Sequence, residues 1–309
     1  MHEGSRKAIL AALVANLGIA FAKLAAAGIT GSASMVAESI HSFADTGNQG
    51  LLFLGGKRAR RPADEEHQFG YGAERFFWAF VVALVLFTLG ALFSLYEGID
   101  KLRHPHELES PTVAFIVLGV AVVLEAFSLR TAVKEANPGR RGGSWWGFIK
   151  HTKNPELPVV LLEDTGALLG LAIAILGLGL AVVTDESRFD AIGSIGIGLL
   201  LGVIAIVLAV EMKSLLIGES AGPRTQAALR DAITDAPEVR SVIHLRTLQL
   251  GPEELLVAAK LDFVATTTVD LAPAIDAVEV RIRAALADEK VVIYLEPDLD
   301  RDPDRIGPG

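Results

Sequence analysis

Long runs of hydrophobic residues alternate with short polar stretches over roughly the first 215 residues of the chain. A helix needs about 17–25 mostly apolar residues to cross the hydrocarbon core of a bilayer. Six runs have this length, at about 8–29, 33–55, 76–99, 111–133, 157–183 and 190–210. The first run is long and a second follows at once, so it is not predicted to be a cleaved signal peptide. The pattern therefore predicts six transmembrane helices.

The pattern changes after Gly218 to that of a small soluble domain. Helical spacing over residues 223–236 and 271–287, and strand-like patterns over 239–250, 254–264 and 290–295, give the order helix–strand–strand–helix–strand. Such an order predicts an α+β module. We expect a transmembrane domain over residues 1–216, this module over 217–297 and a disordered acidic tail over 298–309.

Composition narrows the class of protein. The chain has 309 residues, 51% of them hydrophobic, no cysteine and a formal net charge of −9. The missing cysteines exclude a disulfide-stapled secreted domain and a Cys-type zinc finger. The acidic balance argues against a nucleic-acid partner. No nucleophile–base pair or phosphate-binding loop is evident, so an enzyme with catalytic residues is not predicted.

Lys and Arg residues concentrate in alternate loops, which predicts the orientation in the membrane. They precede the first span and lie between spans two and three, between four and five, and after six. Both termini are therefore predicted to be cytoplasmic. The N-terminus is not rich in Arg and Ser, as a transit peptide would be, so we expect the plasma (inner) membrane of a bacterium.

The second predicted span carries four polar residues at helical spacing, namely Glu38, His41, Asp45 and Asn48. An ionisable residue inside a membrane costs on the order of 2.5–3.5 kcal/mol, so such a stripe calls for a function. The spacing puts the four residues on one face of a helix, as a bound divalent cation or a proton site requires. The alternative is a His–Asp hydrogen bond that only joins helices.

Further acidic residues lie in the fourth and fifth spans. Glu163 and Asp164 are adjacent in span five, and neighbours on a helix point about 100° apart, so both cannot face one centre squarely. Which of them faces the site stays open. Glu125 in span four is expected to pair with Arg130 near the end of that helix.

Histidine and carboxylates without thiolates favour a metal of hard to borderline character. Zn²⁺ suits such ligands, and Mn²⁺, Co²⁺ or Fe²⁺ are alternatives. These ligands must lose protons to bind metal, so metal entry releases protons. In a transporter this coupling would be metal/proton antiport.

Two segments, GSASMVAESIHSFADTGNQ at span two and ADEEHQFGYG before span three, resemble motifs of the cation diffusion facilitator (zinc transporter) family. LLEDTGALLG and FDAIGSIGIGLLLG are most similar to the zinc transporter nine branch of that family. The resemblance covers roughly residues 5–297. It implies a homodimeric exchanger of a divalent metal for protons, with a cytoplasmic ferredoxin-like domain that dimerises.

The resemblance also implies a ligand set. His41 and Asp45 match the metal ligands of span two, and Asp164 matches one of the two in span five. Val160 stands where the family has a histidine. We therefore expect Glu163, Glu38 or water to complete the shell, with Asn48 as a further candidate.

Two other metal sites of the family are depleted in this sequence. In the loop before span three Asp64 and His67 match ligands, but Tyr71 replaces a histidine. In the module only His244 is clearly kept, so a binuclear centre is not predicted there.

Three functions are compatible with this sequence. The first is a six-helix exporter of Zn²⁺ by alternating access, driven by protons and embedded in membrane lipid. The second is the same transporter with Mn²⁺, Co²⁺ or Fe²⁺ as substrate. The third is a membrane-anchored regulatory or scaffold protein without transport. The metal is a substrate in the first two, and no cofactor is predicted.

Overall fold

A computed structural model describes residues 3–30, 33–104, 111–140, 142–265 and 267–300. Side chains are described at residues 4–29 of the first helix and, in the second, at residues 39, 42, 43 and from 45 onward. The chain divides into two compact units. The helical unit contains Met1–Arg60 and Glu74–Lys213, and the α+β unit contains Arg61–Ala73 and Ser214–Gly309.

Long helices follow one another along the membrane part of the chain. They are α1 (Glu3–Thr30), α2 (Ala33–Arg58), α3 (Glu74–Arg103), α4 (Pro111–Arg140), α6 (Glu156–Thr184) and α7 (Arg188–Ile217), with the short α5 (Trp145–His151) between α4 and α6. Within the described ranges, α1, α3, α4, α6 and α7 are long and apolar enough to cross a membrane. The 26-residue α2 is not among these five. The polar residues of α2 lower its mean hydropathy. The helix is therefore long enough for the predicted second span, but it is less apolar than the other five.

Small residues allow the helices to approach closely. In the helical unit, α1 packs against α2 and α4, and α4 packs against α6. A Cβ atom on Gly98 of α3 would lie 2.8 Å from the backbone nitrogen of Ile195 in α7. A Cβ on Gly177 of α6 would lie 3.0 Å from the carbonyl oxygen of Phe189. Such contacts between backbones are how helices pack in lipid, where no hydrophobic effect drives them together.

The middle of α3 is a π-helical segment, Leu86–Leu92. A π segment shifts the side chains that follow it around the helix, and such segments are frequent at functional sites. Leu86 and Gly90 of this segment line the cavity described below.

The α+β unit contains α8 (Pro223–Thr234), β1 (Val239–Gly251), β2 (Glu254–Phe263), α9 (Thr268–Ala285) and β3 (Lys290–Pro297). The strands form one sheet in the order β1-β2-β3, with β1 antiparallel and β3 parallel to β2. This is the α-β-β-α-β part of the ferredoxin-like motif. The predicted fold, a helical membrane domain followed by a ferredoxin-like module, is confirmed.

The core of this module lies between one face of the sheet and its two helices. Leu255, Val257 and Leu261 alternate along β2 and are fully buried against Leu229 of α8 and Ile282 of α9. Alternation of this kind is expected of a strand with one face in the core. The predicted acidic tail falls mostly on residues 301–309, which lie outside the described part of the chain.

The loop before α3 belongs to the α+β unit. Gly70 has a φ of 81°, in the left-handed region that favours glycine. A Cβ atom on Gly72 would lie 2.8 Å from the carbonyl oxygen of Leu250, at the end of β1. Glycine at this position therefore allows the loop to contact the β1–β2 turn directly.

Candidate cation site

A cavity of about 520 Å³ lies within the helical unit. Its lining residues in α6 begin at Glu163 and end at Leu178, and those in α3 begin at Leu86 and end at Lys101. The described residues of α6 that precede Glu163 do not line it. The cavity therefore extends from the level of Glu163 towards the end of the unit where α3 and α6 finish.

Acidic side chains from α2, α4 and α6 line the cavity, in addition to two at its Lys101 end that are described below. Asp45 comes from α2, Glu125 from α4, and both Glu163 and Asp164 from α6. Glu125 is 6% exposed and Asp164 is 1% exposed. The cavity also has a basic side chain, Lys23 of α1, on its lining. Several carboxylates facing one cavity form a region of negative potential, which favours a cation.

The two adjacent carboxylates of α6 accept hydrogen bonds from different helices. The Ser128 hydroxyl of α4 donates to Oδ2 of Asp164 over 2.6 Å, and Nε2 of Gln49 in α2 donates to Oε2 of Glu163 over 2.8 Å. Both donors are fully buried. The sequence left open which carboxylate faces the site, and in the structure both line the cavity.

The other candidates on α2 have different positions. Glu38 and His41 belong to α2 by their backbone, but their side chains lie outside the described residues. Asn48 is 1% exposed, and neither its nitrogen nor its oxygen has a hydrogen-bond partner among the described residues. Asn48 does not line the cavity that Asp45 lines. Val160, at the family's histidine position, is fully buried.

No group of three or more His, Asp or Glu side chains among the described residues is close enough to hold a metal ion together. The carboxylates thus share a cavity without forming a finished ligand set. A chelating set would need another side chain, such as that of His41, or a movement of the helices.

The end of the cavity near Lys101 contains a separate ion-pair network. The Lys101 ammonium group lies 3.0 Å from Glu97 in the same helix and 3.1 Å from Asp190 of α7. All three residues line the cavity. The fixed positive charge of Lys101 thus neutralises two carboxylates at this end.

A second ion pair lies at the opposite end of α3 and α6. Arg75 near the start of α3 binds Glu156 at the start of α6 through two hydrogen bonds, Nε to Oε1 over 2.5 Å and Nη2 to Oε2 over 2.8 Å. The side chains are only 4% and 1% exposed. This bidentate geometry is the strongest that an arginine–carboxylate pair can adopt.

Several of these residues were missed by the sequence analysis. Glu125 was expected to pair with Arg130, but the structure records no ion pair between these two described residues and puts Glu125 on the cavity lining instead. Ser128, Gln49, Arg75 and Glu156 were not predicted at all. A polar residue within or beside an apolar run was the available signal, as it was for Asp45.

The predicted loop site has its oxygens already engaged. The Tyr71 hydroxyl donates to Oδ2 of Asp64 over 2.6 Å, and the backbone nitrogen of His67 donates to Oδ1 over 2.7 Å. The Tyr71 hydrogen bond, followed by that of His67, lowers the pKa of Asp64. Nδ1 of His67 lies 3.6 Å from Oδ1 of Asp64. A metal at this loop would have to compete with the tyrosine for the carboxylate.

In the α+β unit a lysine next to His244 binds two acidic residues. The Lys260 ammonium group lies 2.8 Å from Asp298 and 3.2 Å from Glu296. The hydrogen bond that Lys260 donates to Asp298, followed by the one it donates to Glu296, raises the pKa of Lys260. His244 is opposite Lys260 in the β1–β2 register. The positive charge of Lys260 thus already neutralises Asp298 and Glu296.

Known proteins provide independent evidence of kinship. Residues 9–217 match the family profile described as the cation efflux transmembrane domain. The chain belongs to this family. Together with the apolar helices, the match identifies an integral membrane protein, and the predicted family resemblance is confirmed.

Individual relatives agree with this assignment. The human proton-coupled zinc antiporter SLC30A9, mitochondrial, is 34% identical over 263 residues, which are 84% of this chain and 46% of that protein. Metal tolerance protein C4 of Arabidopsis thaliana is 30% identical over 84% of this chain and 58% of its own length. The cation-efflux pump FieF of Cronobacter sakazakii is 29% identical over 82% of this chain and 79% of its own length. The chain thus spans about half the length of the first two relatives.

Proposed function

We propose that this protein transports a divalent transition-metal cation across a membrane in exchange for protons, with Zn²⁺ as the preferred substrate. The observation that carries the proposal is the cavity lined by Asp45, Glu125, Glu163 and Asp164. Four carboxylates among membrane helices are costly unless they have a function. Kinship with a zinc antiporter supports the choice of metal.

The metal is held by His41, Asp45 and Asp164, with Glu163 as the fourth ligand. Support comes from the cavity, to which α2 and α6 contribute Asp45 and the adjacent pair Glu163 and Asp164. Val160 cannot coordinate a metal, so a second carboxylate of α6 replaces the missing histidine. Glu38 and Asn48 are reserve candidates, and Asp64 with His67 forms at most a weak accessory site.

Transport proceeds by alternating access to this site. The cavity extends from Glu163 to the Lys101 end, while the buried pair of Arg75 and Glu156 lies at the other end of the unit. We assign the Arg75 end to the cytoplasm, because the Lys- and Arg-rich loops adjoin it. In the conformation described here the cavity then opens away from the cytoplasm. Both termini are cytoplasmic, and the membrane is the inner membrane of a bacterium.

Proton coupling follows from the chemistry of the ligands. Carboxylates and imidazole bind a metal only after losing their protons, so protons that arrive from the other side displace the metal. The α+β unit joins two copies of the chain in a homodimer. This assembly is proposed from the family resemblance and the ferredoxin-like fold.

A second substrate class is favoured by the composition of the cavity. Oxygen ligands suit Mn²⁺, Co²⁺ and Fe²⁺ as well as Zn²⁺, and the cavity is rich in carboxylates. A regulatory protein without transport is the remaining alternative, suggested by Val160.

Proton flux in sealed proteoliposomes with an internal pH dye tests these proposals. The vesicles are challenged in turn with Zn²⁺, Mn²⁺, Co²⁺ and Fe²⁺, and wild type is compared with Asp164→Ala and Glu163→Ala. We expect flux with one preferred metal and its loss in Asp164→Ala. Absence of flux with every metal, in folded dimeric protein, would favour the regulatory alternative.

A further inference from the structure

The two carboxylates of α6 are each held by a neutral donor from a different neighbouring helix. We propose that Ser128 and Gln49 are positioning residues, which orient Asp164 and Glu163 so that one oxygen of each stays available to the transported cation. The inference rests on the proposed transport function. It assigns roles to two residues that do not themselves bind the metal.

The contact at Asp164 is short and fully enclosed. Oγ of Ser128 donates to Oδ2 over 2.6 Å, and the two residues are 0% and 1% exposed. A bond to a charged acceptor of this length belongs to the strong class. It engages one carboxylate oxygen, so Oδ1 is the atom left for a cation. Ser128 of α4 thereby holds the Asp164 side chain of α6 in place.

The contact at Glu163 is similar but comes from another helix, α2. Nε2 of Gln49 donates to Oε2 over 2.8 Å, and Gln49 is fully buried. Adjacent residues on a helix point about 100° apart. Because the two side chains point in different directions, a donor on α2 can hold Glu163 while a donor on α4 holds Asp164.

Neutral donors suit a cation site better than charged ones. A lysine or arginine in these places would cancel the negative charge that attracts the metal, as Lys101 does for Glu97 and Asp190. An amide or a hydroxyl fixes the geometry and leaves the charge in place. Residues that support metal ligands in this way typically contribute about 10–100-fold to metal affinity.

Ser128→Ala removes the hydroxyl with little change in volume, and Gln49→Met removes the amide while keeping the length of the side chain. Metal-driven proton flux in proteoliposomes gives the KM for Zn²⁺ and the maximal rate. We expect each variant to raise KM about 10–100-fold, with the maximal rate at saturating metal nearly unchanged. Ser128→Thr, which keeps the hydroxyl, should restore a KM near that of wild type.

Ser5→Ala is the matched control. Ser5 is also a fully buried serine and accepts a hydrogen bond from Asn154 over 2.7 Å, but it does not line the cavity. We expect its KM to be that of wild type. An equal rise of KM in Ser5→Ala and Ser128→Ala would overturn the proposal, because lost packing would then explain both. Gln49→Met tests the proposal independently if Ser128→Ala does not fold.

Comparison with the carboxylate variants separates this inference from the proposed function. If Asp164→Ala abolishes flux while Ser128→Ala and Gln49→Met keep the KM of wild type, the positioning roles are wrong and transport at this site stands. If Asp164→Ala and Glu163→Ala transport like wild type, the proposed site itself fails, and the positioning roles fail with it.

Discussion

Replacing Glu156 by Gln tests the buried ion pair at the start of α3 and α6. The change keeps the shape of the side chain but removes the carboxylate charge that binds the Arg75 guanidinium through two hydrogen bonds, at a position that is 4% exposed. Loss of one partner of a buried pair costs about 3–5 kcal/mol. At about 2–4 °C per kcal/mol for a domain of this size, the melting temperature in detergent should fall by roughly 6–20 °C.

Replacing both partners by apolar residues is the informative control. Arg75→Met with Glu156→Leu removes both charges of this pair, and such exchanges of buried pairs are often neutral or stabilising by about 1–4 kcal/mol. The double variant should therefore melt near or above wild type. A single Glu156→Gln variant that melts within about 2 °C of wild type would refute the reasoning, because the ion pair could not then be shielded from water.

Because the chain has no cysteine, a single introduced thiol can report access to the same region. Val160 lies one turn beyond Glu156 in α6 and is fully buried. A thiol in Val160→Cys should react slowly with a membrane-impermeant maleimide, and faster when Glu156→Gln is added. Equal rates would mean that the ion pair does not close this end.

Two further predictions concern the α+β unit. Burial raises the pKa of Glu289, whose Oε2 has no hydrogen-bond partner among the described residues. The charged carboxylate therefore destabilises the unit at a pH above this raised pKa. Stability returns as the pH falls through the raised pKa and the carboxyl group is protonated. Glu289→Gln should slow amide hydrogen exchange in β1–β3 at neutral pH but not at low pH, and an equal gain at both would contradict this. Tyr71→His removes the hydroxyl that holds Asp64 and adds a third nitrogen or oxygen ligand beside His67. Elemental analysis should then find more Zn²⁺ bound per chain than in wild type, and unchanged stoichiometry would argue against a latent loop site.

The sequence determined the architecture because hydrophobic periodicity is a local property. Strands predicted at 239–250 and 254–264 are observed at Val239–Gly251 and Glu254–Phe263, and the long apolar runs became helices. The same local signal drew attention to Asp45, Glu163 and Asp164, since a charge inside an apolar run is conspicuous without any structure. All three line the cavity.

Tertiary structure decided which polar residues meet, and the reason is distance along the chain. Ser128 and Asp164 are 36 positions apart, Arg75 and Glu156 are 81 apart, and Gln49 and Glu163 are 114 apart. Periodicity shows which face of a helix is polar, but not which neighbouring helix that face contacts. Glu125 could not be assigned to the cavity for the same reason, because its surroundings depend on how α4 is rotated against α2 and α6.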